Sequence, residues 1–291
     1  MFGRTAYRLA WGRHVLDLGR RTCIMGVVNV TPDSFSDGGR FYDAAAAVAQ
    51  GERLAAEGAD IIDIGGESTR PFSEPVAIEE EIRRVVPVVA ALAARVRIPI
   101  SVDTTKAAVA RRALESGAAM INDISALRFD PDVAGVGAEF GVPVVLMHMR
   151  GEPRSMQVAP HYDEPVTDIR GFLGEAAAAA ERQGIPRERL IVDPGIGFGK
   201  TPEHNLQLIR RLQEFAALGL PILVGPSRKS FIRRLVKPDG AKDIPPSLPV
   251  VETGTQAAVA AAVLNGAHIV RVHDVANTAA TVKVVDAIMN S

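Results

Sequence analysis

Cysteine is nearly absent from this sequence. Cys23 stands alone in 291 residues, which excludes an intrachain disulfide and any zinc site built on thiolates. It falls in an apolar run, which predicts a buried, unreactive thiol. An excess of either charge is also missing: 33 Lys and Arg oppose 34 Asp and Glu for a net charge of −1. No nucleic-acid or membrane surface is therefore expected. No apolar run approaches the roughly 20 residues a membrane helix needs. The six histidines show neither HExxH nor another paired-ligand spacing, which argues against zinc. These absences predict a soluble, cytoplasmic protein whose partners are small molecules.

What is present is material for a large core. Hydrophobic residues make up 47% of the chain and mean hydropathy is slightly positive. The first residues are arginine-rich (Arg4, Arg8, Arg13, Arg20, Arg21) with Asp17 as their one acid, a bias shared with transit peptides. Trp11 and the Val15-Leu16 pair instead suggest a strand or hairpin leading into the main fold.

Short β-branched runs at 24–29, 60–64, 98–102, 119–122, 142–147, 190–192, 221–224 and 268–272 alternate with helical periodicity, as at 43–57, 78–94, 106–116 and 203–217. The runs are almost wholly apolar, as expected of a parallel sheet buried on both faces. Gly58, Gly117, Gly141, Gly184, Gly219 and Gly266 each stand where a helix should end, the position that favours a left-handed residue. Eight such units suggest a single-domain (β/α)₈ TIM barrel spanning 1–291, and a doubly wound open sheet is the rival. Polar residues decide between them. Asn29, Asp103, Asn122, His148, Asp193 and Arg271 fall at or just past the ends of six different strands. An open sheet gathers ligand groups at one switch point, whereas a barrel draws them from its whole C-terminal rim. The barrel reading is preferred.

Residues 31–40 (TPDSFSDGGR) and 65–77 read as polar loops after the first two barrel strands, and 237–249 as an exposed Pro- and Gly-rich excursion. The stretch 195–201 approaches a phosphate-binding P-loop, but Pro194 occupies the place of its first glycine. It also fails the dinucleotide pattern, because Lys200 replaces the third glycine.

Eight rim segments remain: MGVVNVTPDSFSDGG (25–39), DIGGESTRP (63–71), SVDTTK (101–106), INDISA (121–126), VLMHMRG (145–151), VDPGIGFGK (192–200), GPSRKSF (225–231) and RVHDV (271–275). Together, in order and at every strand, they resemble the dihydropteroate synthases of the pterin-binding barrel family. Phe72, Thr105 and Arg233 depart from the usual pattern, which bears on loop conformation rather than on the pterin pocket.

The resemblance implies a transferase of folate biosynthesis, a target class of sulfonamides. It would condense (7,8-dihydropterin-6-yl)methyl diphosphate with 4-aminobenzoate, use Mg²⁺ and act as a homodimer. Residue chemistry agrees with that substrate. A pterin has a guanidine-like edge that a carboxylate accepts in pairs, and Asp193 is the candidate fork. Asp103 and Asn122 would meet the opposite edge, Asn122 offering both donor and acceptor. For each, the competing reading is a strand-end cap bonded to backbone. Lys229 would donate to the ring carbonyl, unless it is simply an exposed lysine at a helix start. Met147 and Phe198 would be the apolar walls, roles that the resemblance alone raises above ordinary core.

Arg271 and His273, two residues apart, point to one side of their strand. Arg271 would stack on the pterin while donating to phosphate, unless the pair is merely held by Asp274. By resemblance Asn29 is the ligand for Mg²⁺, an ion that takes few protein ligands. Ser230, at the start of a short helix at 229–235, would receive the aminobenzoate carboxylate. Phe35, Thr69, Arg70 and Pro71 would close over the ring and the diphosphate. His148 reads as structural. Asp103, Asp193, Lys229, Arg271 and His273 form the expected catalytic set.

Two other functions fit a pterin barrel. A methyltetrahydrofolate-dependent methyltransferase should lack the SRKSF helix start and the TPDSFSDGG loop, both of which this chain has. A paralogue that binds pterin without turnover would differ only in making no product.

Overall fold

The computed structural model describes residues 4–31, 44–69 and 73–291. A two-stranded antiparallel hairpin comes first: β1 (Tyr7–Trp11) and β2 (His14–Leu18), paired from Tyr7↔Leu18 to Trp11↔His14. Its alternation buries Leu9, Trp11, Leu16 and Leu18 and exposes the residues between them. The Trp11 indole N–H donates to the Ala119 carbonyl at 2.7 Å, just before a barrel strand begins. The hairpin thus covers the N-terminal mouth of the barrel, opposite the candidate site.

Eight parallel strands follow: β3 (Cys23–Asn29), β4 (Ile61–Gly65), β5 (Ile100–Asp103), β6 (Met120–Asp123), β7 (Val144–Met147), β8 (Leu190–Asp193), β9 (Leu223–Val224) and β10 (Ile269–Val272). Their hydrogen-bonded order is β8-β7-β6-β5-β4-β3-β10-β9. A parallel bridge between Val192 and Ile222 joins the two ends of that order and closes the barrel. The barrel expectation is therefore borne out. Ile61, Ile62, Ile64, Val144, Val145 and Leu146 have no exposed surface, and each such side chain contributes roughly 1.5–3 kcal/mol through burial.

The outer helices are α1 (Ala44–Ala56), α2 (Ile78–Ala93), α3 (Ala107–Glu115), α4 (Asp132–Phe140), α5 (Pro165–Arg182), α6 (Pro202–Arg210), α7 (Ser230–Val236), α8 (Pro249–Leu264) and α9 (Val275–Met289). Three of their starts, those of α5, α6 and α9, carry side-chain caps. The Glu164 side chain accepts from the Thr167 amide, with Pro165 in the first turn, and Thr201 forms a capping box with His204. All six glycines expected at helix ends have positive φ, from 63° to 110°. The continuous helix expected over 203–217 is corrected. The α-helix stops at Arg210, and Leu212–Leu218 forms a 3₁₀ segment. Burial of Leu212 and Phe215 overrides the 3.6-residue period there. The excursion at 237–249 is mostly exposed, as expected, with Ile244 tucked in. Among the described residues, no helix is long and apolar enough to cross a membrane.

Candidate active site at the barrel rim

Register places the polar residues in one layer. Asn29 pairs with Gly65, Gly65 with Asp103, and Asp103 with Asn122, so adjacent strands bring them to the same height at the C-terminal rim. Arg271, on β10, reaches into this layer. Its Nε donates to Asp63 Oδ2 at 2.6 Å and its Nη2 to Asp103 Oδ2 at 2.7 Å. Asn122 Nδ2 donates to the same Asp63 oxygen at 3.0 Å. These bonds run from side chain to side chain, unlike backbone caps. One N–H of the Asn122 amide is engaged by Asp63, and the amide keeps its acceptor oxygen and a second N–H.

Burial raises the Asp103 carboxyl to about 7, against the lowering effect of Arg271 and with a further rise from Asp63. For Arg271, burial opposes the charge, but Asp63 and Asp103 outweigh it and the net shift is upward. The guanidinium therefore remains a cation in a low-dielectric setting.

Asp193 ends β8 and is buried. Its Oδ1 accepts from the Gly195 amide at 2.7 Å. The capping reading therefore holds in part: Asp193 braces its own loop and keeps acceptor capacity for a ligand. Burial raises its carboxyl to about 6, against that amide and the nearby Lys200 and Lys229 cations. The loop that follows can be built only with glycine at its start. Gly195 has φ +71°, and a Cβ there would lie 1.9 Å from the His148 carbonyl oxygen.

Lys229 is not a solvated helix-start lysine. Its Nζ lies 3.9 Å from the centre of the Phe198 ring, a cation–π distance. Burial and Arg271 press its pKa down to about 8. Gly197 permits this approach, since a Cβ there would lie 2.9 Å from the Lys229 Cδ. Phe198 and Met147 pack with Ile124, Met149 and Met156 in a small apolar cluster separate from the main core. That cluster forms an apolar wall beside the charged layer.

Ser230 is the first residue of α7, and Lys229 is its N-cap, one residue later than the sequence suggested. Before it, Arg228 has φ +58°, an uncommon conformation for a residue other than glycine. Its amide donates to the buried Thr255 hydroxyl at 3.1 Å. Arg233, one of the three departures, donates to the Arg228 carbonyl at 3.1 Å and pairs with Asp243 at 2.9 Å. It ties the 237–249 excursion to this turn. His273 shares a 2.9 Å contact between its Nδ1 and the Ser227 hydroxyl, while its own amide donates to that hydroxyl oxygen at 3.3 Å. The Asp274 side chain caps α9 by accepting from the Asn277 amide at 3.0 Å.

Asn29 stands across Gly65 from Asp103. A Cβ on Gly65 would lie 3.9 Å from Asn29 Oδ1 and 3.8 Å from Asp103 Oδ2, so glycine keeps an oxygen-lined gap open. Among the described residues no group of three His, Cys, Asp or Glu forms a metal cage. Phe35, Arg70, Pro71 and the variant Phe72 lie outside the described residues. Thr69 is described, half-buried, in the segment after β4. That segment is braced from below: Lys106 pairs with Glu67 and with the buried Glu81, the latter at 2.6 Å, and donates to the Val76 carbonyl at 2.7 Å.

His148 is buried just past the end of β7. Burial, then the Lys200 cation, pushes its pKa down to about 2. Its ring stacks edge-on against Phe172 at 4.8 Å. The buried Lys200 donates to the Phe198 carbonyl at 2.9 Å and approaches His148 Nδ1 at 3.0 Å. It fastens the glycine loop to the segment after β7. Sequence reasoning passed over Asp63, Ser227 and Lys200. The signal for Asp63 was a charged residue at the centre of the apolar run IIDIG.

A family profile described as "Pterin binding enzyme" matches residues 25–273. The dihydropteroate synthase of Synechocystis sp. is 46% identical over 278 residues, covering 95% of this chain and 93% of that protein. The Xanthomonas albilineans dihydropteroate synthase solved with 4-aminobenzoic acid superposes with a TM-score of 0.89 at 47% identity, covering 99% of this chain and 100% of that one. The same organism's enzyme in complex with 7,8-dihydropteroate superposes with a TM-score of 0.85 at 45% identity, covering 98% and 99%.

Proposed function

The chain belongs to the pterin-binding enzyme family, and from that premise we propose that it condenses (7,8-dihydropterin-6-yl)methyl diphosphate with 4-aminobenzoate to form 7,8-dihydropteroate and pyrophosphate. The observation that carries this reading is the pairing of unlike surfaces at one rim. The Phe198 and Met147 wall, with Lys229 above the ring, faces a layer of buried acids around Arg271. A flat heterocycle with a guanidine-like edge and a departing anion suits both.

Asp193 accepts the paired N–H donors of the pterin edge, using the capacity that the Gly195 amide leaves. Lys229 donates to the ring carbonyl. Asp103 and the Asn122 oxygen accept from the opposite edge. The exocyclic C–O bond breaks first, and its electron pair leaves with pyrophosphate. The resulting pterin methylene cation is delocalised and is stabilised by Asp103 and Asp193. Arg271 and His273 hold the leaving diphosphate. Ser227, whose hydroxyl accepts from the His273 amide and meets the ring at Nδ1, fixes the His273 ring for this task. The neutral aniline nitrogen then forms the C–N bond and loses one proton to solvent, so no strong general base is needed.

Ser230 and the first turn of α7 receive the aminobenzoate carboxylate. Phe35, Thr69, Arg70 and Pro71 close over the ring and the diphosphate. The gap beside Gly65 fits Mg²⁺: its oxygen donors suit a hard ion that keeps most of its waters. Asn29 would be its protein ligand, and the ion would neutralise diphosphate charge.

We assign the active form as a homodimer formed through the last helices. Support comes from apolar side chains left exposed on these helices: Leu235 on α7, Val250 on α8, and Val284 and Ile288 on α9, the last two about 60% exposed. A single unpaired thiol suits a cytoplasmic location.

The test is incubation of the purified protein with both substrates and Mg²⁺, read by mass spectrometry. Dihydropteroate that fails to form in EDTA supports the reaction and the metal together. Pterin binding without product would make the chain a silent paralogue.

A further inference from the structure

Asp63 has no exposed surface, sits at the centre of β4 and takes no part in the reaction as derived above. Its side chain points into the barrel. It touches Arg271 and Asn122, each two strands away on opposite sides, and only an interior position allows both contacts. One oxygen, Oδ2, accepts both bonds, while Oδ1 is buried without a hydrogen-bond partner among the described residues. An isolated buried carboxylate is costly, so a side chain placed this way is held by what it organises.

We propose that Asp63 is the positioning residue of the pterin pocket, fixing through Oδ2 both the amide orientation of Asn122 and the direction of the Arg271 guanidinium. A carboxylate only accepts hydrogen bonds, so the Asn122 amide must turn its nitrogen toward Asp63 and its oxygen toward the mouth. The pocket then selects a ligand that offers an N–H at that edge. The same oxygen holds Nε of Arg271, which leaves Nη2 to Asp103 and turns Nη1 away from both acids. The inference rests on the reading that this rim binds a pterin.

Two substitutions separate positioning from bulk stability. Asp63→Ala removes the acceptor. Asp63→Asn returns one in a side chain of the same shape. Asp63→Ala should lower kcat/KM for the pterin diphosphate at least a hundredfold, with the KM for 4-aminobenzoate within twofold of wild type. Asp63→Asn should recover at least a tenth of wild-type kcat/KM. Asp63→Ala within threefold of wild type, or Asp63→Asn no better than Asp63→Ala, would overturn the proposal.

Asn122→Asp reads the same contact should Asp63→Ala fail to fold. Facing carboxylates share a proton at low pH. Pterin affinity, relative to wild type, should therefore recover at least tenfold in calorimetry from pH 8 to pH 5.5. A relative affinity constant across that range would contradict the assignment. Wild-type protein that makes no dihydropteroate sinks the proposed reaction instead, and the calorimetric comparison still decides the role of Asp63.

Discussion

Arg271 donates to Asp103 across 2.7 Å, so the cation assigned to the leaving anion and the acid assigned to the pterin hold each other. Their mutual grip aims the guanidinium without spending all of it, because Nη1 takes no part in the bonds to the two acids. Arg271→Ala should therefore act mainly on turnover. Loss of a preorganised cation facing a developing anion costs about 2.7–4 kcal/mol by analogy with other electrostatic stabilisers, a fall in kcat of roughly a hundredfold to a thousandfold. Steady-state kinetics check this, and a wild-type kcat in the variant would remove Arg271 from the mechanism.

Asp193 and Asp103 give the site a pH dependence. Burial lifts them to about 6 and about 7, so both are increasingly protonated below neutrality. An acid raised in this way makes the fold less stable as pH climbs from its ordinary value toward the raised one. A ligand whose N–H donors require the carboxylate reverses the preference. Pterin affinity should rise with pH through about 6 to 7 and then level off. Calorimetry of wild type against Asp193→Asn isolates the lower step, because the substrate's own titration is common to both. Identical pH curves for the two proteins would refute this account of Asp193.

Gly195 is the position where a single methyl group should do most harm. Its φ of +71° disfavours any Cβ, and the His148 carbonyl oxygen leaves no space for one. The Gly195→Ala backbone must move, taking with it the amide that braces Asp193. We expect a loss of about 2–4 kcal/mol, which at about 2–4 °C per kcal/mol in a chain of this size lowers Tm by roughly 5–15 °C. Pterin affinity should fall as well. A thermal melt that matches wild type would show that the loop relaxes without cost.

Much of this was legible in the sequence because the signals were local. Six of the eight barrel strands carry a polar residue at or just past their ends, and each glycine expected to cap a helix has positive φ. The hairpin and the buried Cys23, with its thiol pushed up to about 12, could be read for the same reason. Asp63 was hidden because its meaning depends on Arg271, 208 positions later, and no local spacing reveals a contact across a barrel. Ser227 was missed likewise, since its partner His273 comes from the next strand. At 203–217 the pattern was helical, yet packing of Phe215 tightened it into a 3₁₀ segment. The orientation of the Asn122 amide was invisible until its neighbour was known.

The most direct test of the account is the rate of dihydropteroate formation by wild type and Asp193→Asn as the pterin diphosphate is varied at saturating 4-aminobenzoate. Wild type should yield the product. Asp193→Asn should lose about 2–3 kcal/mol of pterin interaction, by analogy with losing a charged hydrogen-bond partner, so its kcat/KM should be roughly 30- to 150-fold lower. Equal kcat/KM values, or no product from wild type, would contradict the claim that this rim binds the pterin and drives the condensation.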